Sequence, residues 1–290
     1  MEQINKSVSN KNKIDISVII VNYNTKQLTL ECINSVFEKT IDVLFEVILV
    51  DNASTDGSID FFSNDSRITF IETGSNLGFG GANNIGYSKS IGKYVFLLNS
   101  DTLLINNALK CFFDKMELLP KNIGCIGSIL RDTQMNPVFS YGRFPKWYDE
   151  FLIFKNKKKI ETTNNDSLIV DYISGADLFI RRSVIEELGL FDSNFFLYYE
   201  ETDLQYRYLK GGYRSMIIQD PLIYHLECAS TQKTSFSRKM FVTRSYLLYF
   251  KKRLPKFGYF CFRVAVFTKR FPTFITSRSL QYFYLLISKV

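Results

Sequence analysis

Runs of apolar residues without alternation recur through the first half of this chain, and each ends in polar side chains. Ile16–Asn22, Glu46–Val50, Ile68–Ile71 and Tyr94–Leu98 are short and rich in β-branched or aromatic residues, the pattern of strands covered on both faces. Between them the apolar period changes. After Thr25, a residue able to cap a helix, Leu28, Cys32 and Val36 recur at helical spacing with Ile33 and Phe37 beside them. Strand, helix, strand with polar exits predicts parallel βαβ units with right-handed crossovers. Farther on, Asn106 to Leu119 predicts an amphipathic helix stopped by Pro120, and Ile123 to Leu130 another strand. Ser183 to Leu188 predicts a short helix, and the stretch opening at Glu200 a helix ended by Gly211-Gly212. Lys155–Ser167 is polar and aperiodic, a loop. Open α/β sheets bind ligands outside the carboxyl ends of their strands, so the polar exits are where chemistry is expected.

The exit of the Tyr94 strand is Asn99-Ser100-Asp101. An Asp there, beside an amide and a hydroxyl, suits a hard divalent cation carrying a diphosphate. The alternative is that the three residues cap the following helix. Asn22-Tyr23-Asn24 leaves the first strand, and Asp51 opens the polar run after the second. The segment Asn76–Gly86 holds Gly78, Gly80 and Gly81 in neither the GxGxxG nor the P-loop order, which disfavours a dinucleotide enzyme. Its glycines would let a phosphate or sugar approach the backbone, with Asn76, Asn83 and Asn84 as directional partners. Alternatively they mark a tight turn and a helix packed closely on the sheet. Phe195–Tyr199 delivers Glu200, Glu201 and Asp203 to a first helical turn, where acids are ordinary dipole partners and where burial would raise a carboxyl pKa towards that of a general base. Successive helical residues are about 100° apart, so Glu200 and Glu201 face different ways, while Arg207 is within i+4 reach of Asp203. His225, the single histidine, ends the apolar run Pro221–Tyr224 as either a packing residue or a metal ligand.

With 290 residues, 46% of them apolar, the chain can bury a full core in one large domain or in a domain plus an appendage. Charge favours the second. Cys228 to Val290 holds 13 basic residues and no acidic one, leaving 23 basic against 29 acidic residues before it. Phe and Tyr alternate there with Lys and Arg from Arg238 onward. That mixture suits an anionic membrane surface; a nucleic-acid surface and a helical subdomain packed on the body are the alternatives. Five cysteines without a CxxC spacing argue against a disulfide framework or zinc site and for a reducing compartment. Met1–Asp15 is polar and lacks the apolar stretch of a secretory signal, and no apolar run reaches the ~18 residues of a membrane span.

Six stretches together resemble the family two glycosyltransferases, most closely the rhamnosyltransferase-like branch of bacterial surface polysaccharide synthesis. They are SVIIVNYNT at 17–25, VDNASTDGS at 50–58, NLGFGGANN at 76–84, YVFLLNSDT at 94–102, SGADLFIRRSVIEELGLFD at 174–192 and FFLYYEETDLQYRYLKGGYR at 195–214. The resemblance covers roughly residues 16–230 and implies an α/β GT-A fold, a Rossmann-like, mostly parallel central sheet flanked by helices. Residues 16–105 would form the nucleotide-sugar-binding half and 106–230 the acceptor and catalytic half, between a polar lead at 1–15 and a basic aromatic helical extension at 231–290. Implied too is inverting transfer from a nucleotide-diphospho-sugar, dTDP-rhamnose first, to a glycan or lipid-linked glycan hydroxyl. The cofactor would be Mg²⁺ or Mn²⁺, the place the cytoplasmic face of the plasma membrane, with no nucleic-acid partner. Donor contacts would fall on Asn22, Asn24, Asp51 as reader of the pyrimidine base, Asn76, Gly80, Asn83, Asn99 and Ser100. Asp101 and His225 would hold the metal, with Asn99 standing where the family's metal motif has its first Asp. Gly175, Ala176 and Glu200 would meet the acceptor, and Glu201 would be the base, although the family usually has Glu-Asp where this chain has Glu200-Glu201. Two rivals are a nucleotidyltransferase, for which no basic glycine-rich loop follows the first strand, and a non-catalytic nucleotide-sugar-binding subunit, against which Asp101, His225 and Glu201 argue.

Overall fold

A computed structural model describes residues 13–150, 167–226 and 235–277. The first half alternates as the apolar pattern predicts: β1 (Ile16–Asn22), α1 (Lys26–Lys39), β2 (Phe45–Asp51), α2 (Ser58–Phe62), β3 (Thr69–Glu72), α3 (Gly78–Lys89) and β4 (Tyr94–Asn99). Both β2 and β4 pair in parallel with β1, and β3 with β2. The chain therefore steps outward to β3 and then crosses back to the other side of β1. The strand order reverses between β1 and β4, and the crevice at the carboxyl end of that pair is where such sheets bind ligands.

The second half adds β5 (Thr102–Leu104), α4 (Ala108–Leu118), β6 (Ile123–Ser128), β7 (Tyr141–Gly142), the 3-10 turn Trp147–Glu150, β8 (Ser167–Val170), β9 (Tyr172–Ile173) and β10 (Asp177–Arg181). After α5 (Arg182–Leu188), α6 (Glu200–Lys210), β11 (Arg214–Ile218) and β12 (Ile223–His225), the helices α7 (Ser235–Lys251) and α8 (Lys256–Ser277) follow. The eight-stranded sheet runs β3-β2-β1-β4-β10-β6-β11-β8, with β10 antiparallel to both its neighbours and β8 antiparallel to β11. Period-two burial sends Val18, Ile20, Phe96 and Leu98 to one face, against α1 and α4, and Ile19, Val95 and Leu97 to the other, with Ala82 of α3 and Leu204 and Tyr208 of α6. Both faces are covered, which is why these strands read as continuous apolar runs. A third core joins α7 and α8 around Phe195 of the body, through Tyr246, Leu247, Tyr249, Phe250, Phe262 and Val266. No helix among the described residues is long and apolar enough to cross a membrane.

Several sequence expectations need correction. Asn99-Ser100-Asp101 caps no helix, because Thr102 opens β5, which pairs with β12. Thr25 occupies the cap position of α1, yet its hydroxyl donates to Asn22 Oδ1 instead of bonding the helix end. The glycine-rich segment is a packing device. Gly78 has φ +74°, and a Cβ there would lie 2.0 Å from the Phe196 carbonyl oxygen. Gly86 brings α3 onto the sheet, where a Cβ would lie 2.5 Å from Ile19 Cγ2. The predicted loop Lys155–Ser167 lies outside the described residues except for Ser167, which opens β8.

Gly78→Ala therefore meets a backbone clash in addition to the ~1–2 kcal/mol of a left-handed non-glycine residue. Its thermal midpoint should fall by several degrees, while Lys89→Ala at the end of the same helix stays within ~0.5 kcal/mol of the parent. Equal midpoints for the two variants in a calorimetric scan would show that the Phe196 contact does not constrain α3.

Candidate active site

Three strand ends are tied together by one buried amide. Asn22, at the end of β1, donates from Nδ2 to Asp51 Oδ2 at 2.6 Å and to Ser54 Oγ at 3.0 Å. Its Oδ1 accepts from the hydroxyls of Thr25 and Thr29, each at 2.8 Å. The Thr25 hydroxyl in turn lies 3.1 Å from Ser100 Oγ, on the loop that leaves β4. Ser54 N donates to Asp51 Oδ1 at 2.8 Å, and Thr55 N to Asn24 Oδ1 at 2.7 Å. Asn24 and Ala53 sit in these loops at φ 55° and 67°, a left-handed conformation that the network over-determines.

The β4 exit then presents its carboxylate. Asp101 Oδ1 lies 3.4 Å from His225 Nε2, because β5 and β12 pair with Thr102 opposite His225 and Leu226 N donates to the Asp101 carbonyl at 2.9 Å. One carboxylate oxygen and one imidazole nitrogen are thus preset toward each other in a nearly buried corner. Among the described residues no third His, Cys, Asp or Glu joins them. This donor set fits a divalent cation that takes its remaining oxygens from substrate phosphates and water. Asp177, which the sequence reading passed over, stands beneath: its Oδ2 accepts from Ser128 N at 2.7 Å and Ser128 Oγ at 2.6 Å. Burial pushes its carboxyl up to about 7, against the opposing effects of the Ser128 bonds and the His225 charge. The signal for it was an acid inside the otherwise apolar run Ala176–Ile180.

Glu200 and Glu201 open α6 and point to different neighbours, as their helical spacing requires. Glu200 packs toward Gly80, whose Cβ would lie 3.7 Å from Glu200 Cβ; Glu201 packs toward Gly175 at a corresponding 4.0 Å. Glu200 is buried, and its Oε2 has no hydrogen-bond partner among the described residues. Burial, and then the neighbouring Glu201 charge, hold the Glu200 carboxyl well above the usual carboxylate range. Burial raises Glu201 too, partly offset by bonds from its own first-turn amides and Thr202, and Glu201 alone of the pair keeps some open surface. Two like charges this close cannot both ionise easily, and the more deeply buried Glu200 is pushed further toward its neutral form.

The turn before α6 is strained and is held from outside. Tyr198 and Tyr199 are consecutive left-handed residues, at φ 70° and 68°. Tyr199 packs on Tyr246 and Tyr249 of α7 at 5.5 and 5.7 Å between ring centroids, and Ser245 Oγ donates to the Leu197 carbonyl at 2.8 Å. Asp203, fully buried, makes the i+4 pair with Arg207 at 3.0 Å. It also takes Lys252 at 3.0 Å and Arg253 at 2.9 Å from the elbow between α7 and α8. Arg253 lies 3.5 Å from the centroid of the Tyr249 ring. None of this clamp except Arg207 was legible from sequence, since its cations lie some fifty residues away.

The remaining sequence assignments divide. Asn24, Asn99, Ser100, Gly175 and Glu201 line the crevice with partial exposure. Asn76 is half-buried but committed to α3, its Oδ1 accepting from Gly78 N and Asn52 Nδ2. Asn22 and Asp51 are fully buried with their polar atoms engaged, so the expected base contact by Asp51 has no open surface; they brace the crevice from beneath. Asn83 is buried and donates to the Phe79 carbonyl, while Gly80 leaves room for Phe191, whose Cβ would be 2.9 Å from an added methyl. Ala176 is buried, and its carbonyl accepts from Asn99 N at 3.0 Å, which ties the acceptor loop to β4.

Removing one partner of a buried ion pair typically costs ~3–5 kcal/mol. Asp203→Ala should lose stability on that scale in urea unfolding, whereas Arg67→Ala, which breaks the exposed pair with Asp65, should lose under ~1 kcal/mol. Similar losses for the two would mean that Asp203 does not hold the elbow against α6.

Residues 17–189 match the family model described as Glycosyl transferase family 2. Among curated proteins the chain is similar to the low-salt glycan biosynthesis hexosyltransferase Agl10 of Haloferax volcanii, 26% identical over 205 residues. That similarity takes in 67% of this chain and 61% of Agl10, so the chain spans less than two thirds of that relative. It is also similar to the N-acetylglucosaminyl-diphospho-decaprenol L-rhamnosyltransferase of Mycobacterium tuberculosis, 25% identical over 214 residues, 64% of this chain and 67% of that protein. The fold is shared with the mannosyltransferase PcManGT from Pyrobaculum calidifontis, solved in complex with GDP-Man and Mn²⁺, at TM-score 0.57 and 16% identity over 95% of this chain and 79% of that one. GalNAc-T7, solved with UDP, GalNAc and Mn²⁺, matches at TM-score 0.63 and 17% identity over 83% of this chain and 48% of its own. These neighbours have the GT-A architecture that the sequence resemblance implied, and the family model takes in more than half of the chain: it belongs to glycosyl transferase family 2.

Proposed function

We propose that this protein is a metal-dependent, inverting glycosyltransferase that moves a sugar from a nucleotide-diphospho-sugar to a glycan or lipid-linked glycan hydroxyl in surface-polysaccharide synthesis. The observation that carries the reading is the placement of two acid sites at the carboxyl end of β4: the Asp101–His225 corner, and Glu201 packed toward Gly175, whose neighbour Ala176 accepts from Asn99 N. Asp101 and His225 would hold Mg²⁺ or Mn²⁺, which when bound neutralises the charge that develops on the departing diphosphate. Asn99, in place of a second acid, gives that corner one negative charge fewer. Ser100, fixed through Thr25, and Asn24 offer the diphosphate and nucleoside polar contacts that the buried Asp51 does not.

On the acceptor side Glu201 removes the proton from the attacking hydroxyl. A single displacement with an external base inverts the anomeric centre, so no covalent nucleophile is needed. Glu200, buried behind Glu201 and pushed toward its neutral form, would position the Glu201 turn against the acceptor. Tyr172, close enough for its phenol to feel the Glu201 charge, stacks with Phe144 at 6.1 Å and supplies an aromatic wall of the kind sugars pack against. The mycobacterial relative is named as a rhamnosyltransferase acting on a lipid-diphosphate-linked sugar, which supports rhamnose as the sugar moved and a lipid-linked acceptor; dTDP as its carrier and a place on the inner face of the plasma membrane complete the reading.

Glu201→Gln should keep donor binding and lose turnover by a factor on the order of 10²–10⁴. Glu200→Gln should mainly raise the acceptor's KM. Because a base works only when ionised and burial raises its pKa, kcat/KM should climb with pH through an apparent pKa above that of an ordinary glutamate. That limb should vanish in Glu201→Gln. Near-normal turnover in Glu201→Gln beside an inactive Glu200→Gln would reverse the two roles.

A further inference from the structure

We infer that α8 docks this protein on a bilayer carrying anionic headgroups through Phe257, Phe260 and Val264. The inference deepens the reading above, which calls for a lipid-linked acceptor but names no surface to meet its membrane. These three residues recur at i, i+3 and i+7 and are exposed by 78%, 64% and 50%. At 100° per residue they form one stripe along the helix. Phe262 and Val266, on the opposite side, are buried against α7. Among the described residues α8 is thus apolar on two faces and has protein on only one of them. An apolar helical stripe left open marks an interaction surface.

Charge decides the partner. Lys256 is exposed at the start of α8 beside Phe257 and Lys251 at the end of α7, and the chain has no acidic residue from Cys228 to Val290. A second copy docked symmetrically on the stripe would set these lysines near their own duplicates, with no acid of that segment to meet them. A nucleic acid would meet Phe and Val in the middle of the face, where phosphate contacts require cations. Anionic lipid satisfies both components, with rings in the headgroup zone and ammonium groups at the phosphates. The turn Trp147–Glu150 packs against α8 and adds Trp147 and Tyr148, exposed by 48% and 43%, with Lys146 over the Tyr148 ring. Trp and Tyr are the residues that concentrate at membrane–water interfaces. The turn follows closely on Phe144, which stacks on Tyr172 near Glu201, so a bilayer held there lies on the acceptor side of the glutamate pair.

The test is co-sedimentation of the full chain with vesicles of phosphatidylcholine alone or with one third phosphatidylglycerol, at low and at physiological salt. The parent should pellet with the anionic vesicles and weaken at higher salt. Phe257→Ser/Phe260→Ser should bind at least tenfold more weakly, with an unchanged thermal midpoint and unchanged stabilisation by nucleoside diphosphate. Parent protein left in the supernatant, or a double variant that binds as the parent does, overturns the proposal. So does a parent that dimerises through the stripe or prefers duplex DNA to the vesicles. If vesicle binding follows this pattern while no nucleotide sugar is turned over, the docking surface stands and the glycosyltransferase reading fails; turnover of a water-soluble acceptor without vesicle binding gives the converse.

Discussion

Everything at the ligand edge of this sheet hangs on the buried side-chain amide of Asn22. Strand ends at a topological switch point diverge, and few backbone bonds hold the loops beyond them. Asn22 supplies that tie by donating to Asp51 and Ser54 on one side and accepting from Thr25 and Thr29 on the other. Through Thr25 the tie reaches Ser100, and so fixes the loop that offers Asp101 to His225. An unsatisfied amide at this depth would cost several kcal/mol, so the network is held as a whole or lost as a whole. The left-handed Asn24 and Ala53 are stable only because of it.

The opposite rim is held by a different force. The Tyr198–Tyr199 turn stores strain just ahead of the two glutamates, and the aromatic packing of α7 with the charged elbow at Lys252 and Arg253 keeps it in place. The C-terminal helices therefore hold the turn that carries the two glutamates, and are also a candidate contact with lipid. One helix face completes a core around Phe195 and the other is left open. The burial of Glu200 beside Glu201 pushes its carboxyl toward the neutral form.

The strands and the first βαβ units were legible because a sheet covered on both faces leaves an uninterrupted apolar record in the chain. The direction of β10 was not, since antiparallel insertion beside β4 depends on long-range pairing of Asp177–Arg181 that no local pattern encodes. Within the crevice, residue types proved easier to read than their roles. Asn22, Asp51, Asn83 and Gly80 carry the marks of ligand contacts, polar or glycine near a strand exit, and all four are buried in this structure. The Asp101–His225 approach followed from two short strands meeting, whereas the Asp203 clamp and the Asp177–Ser128 contact needed three-dimensional proximity across about fifty residues.

The central claim is that Asp101 and His225 form a corner where cation and diphosphate bind together. Thermal stabilisation by a nucleoside diphosphate measures this without any knowledge of sugar or acceptor, since a ligand at ~100 times its dissociation constant adds ~2.7 kcal/mol. With Mn²⁺ present the midpoint of the parent should rise by several degrees, and chelator or Asp101→Asn should each remove the rise while leaving the ligand-free midpoint in place. Equal stabilisation with chelator, or in Asp101→Asn, would contradict a shared metal and phosphate corner at the end of β4.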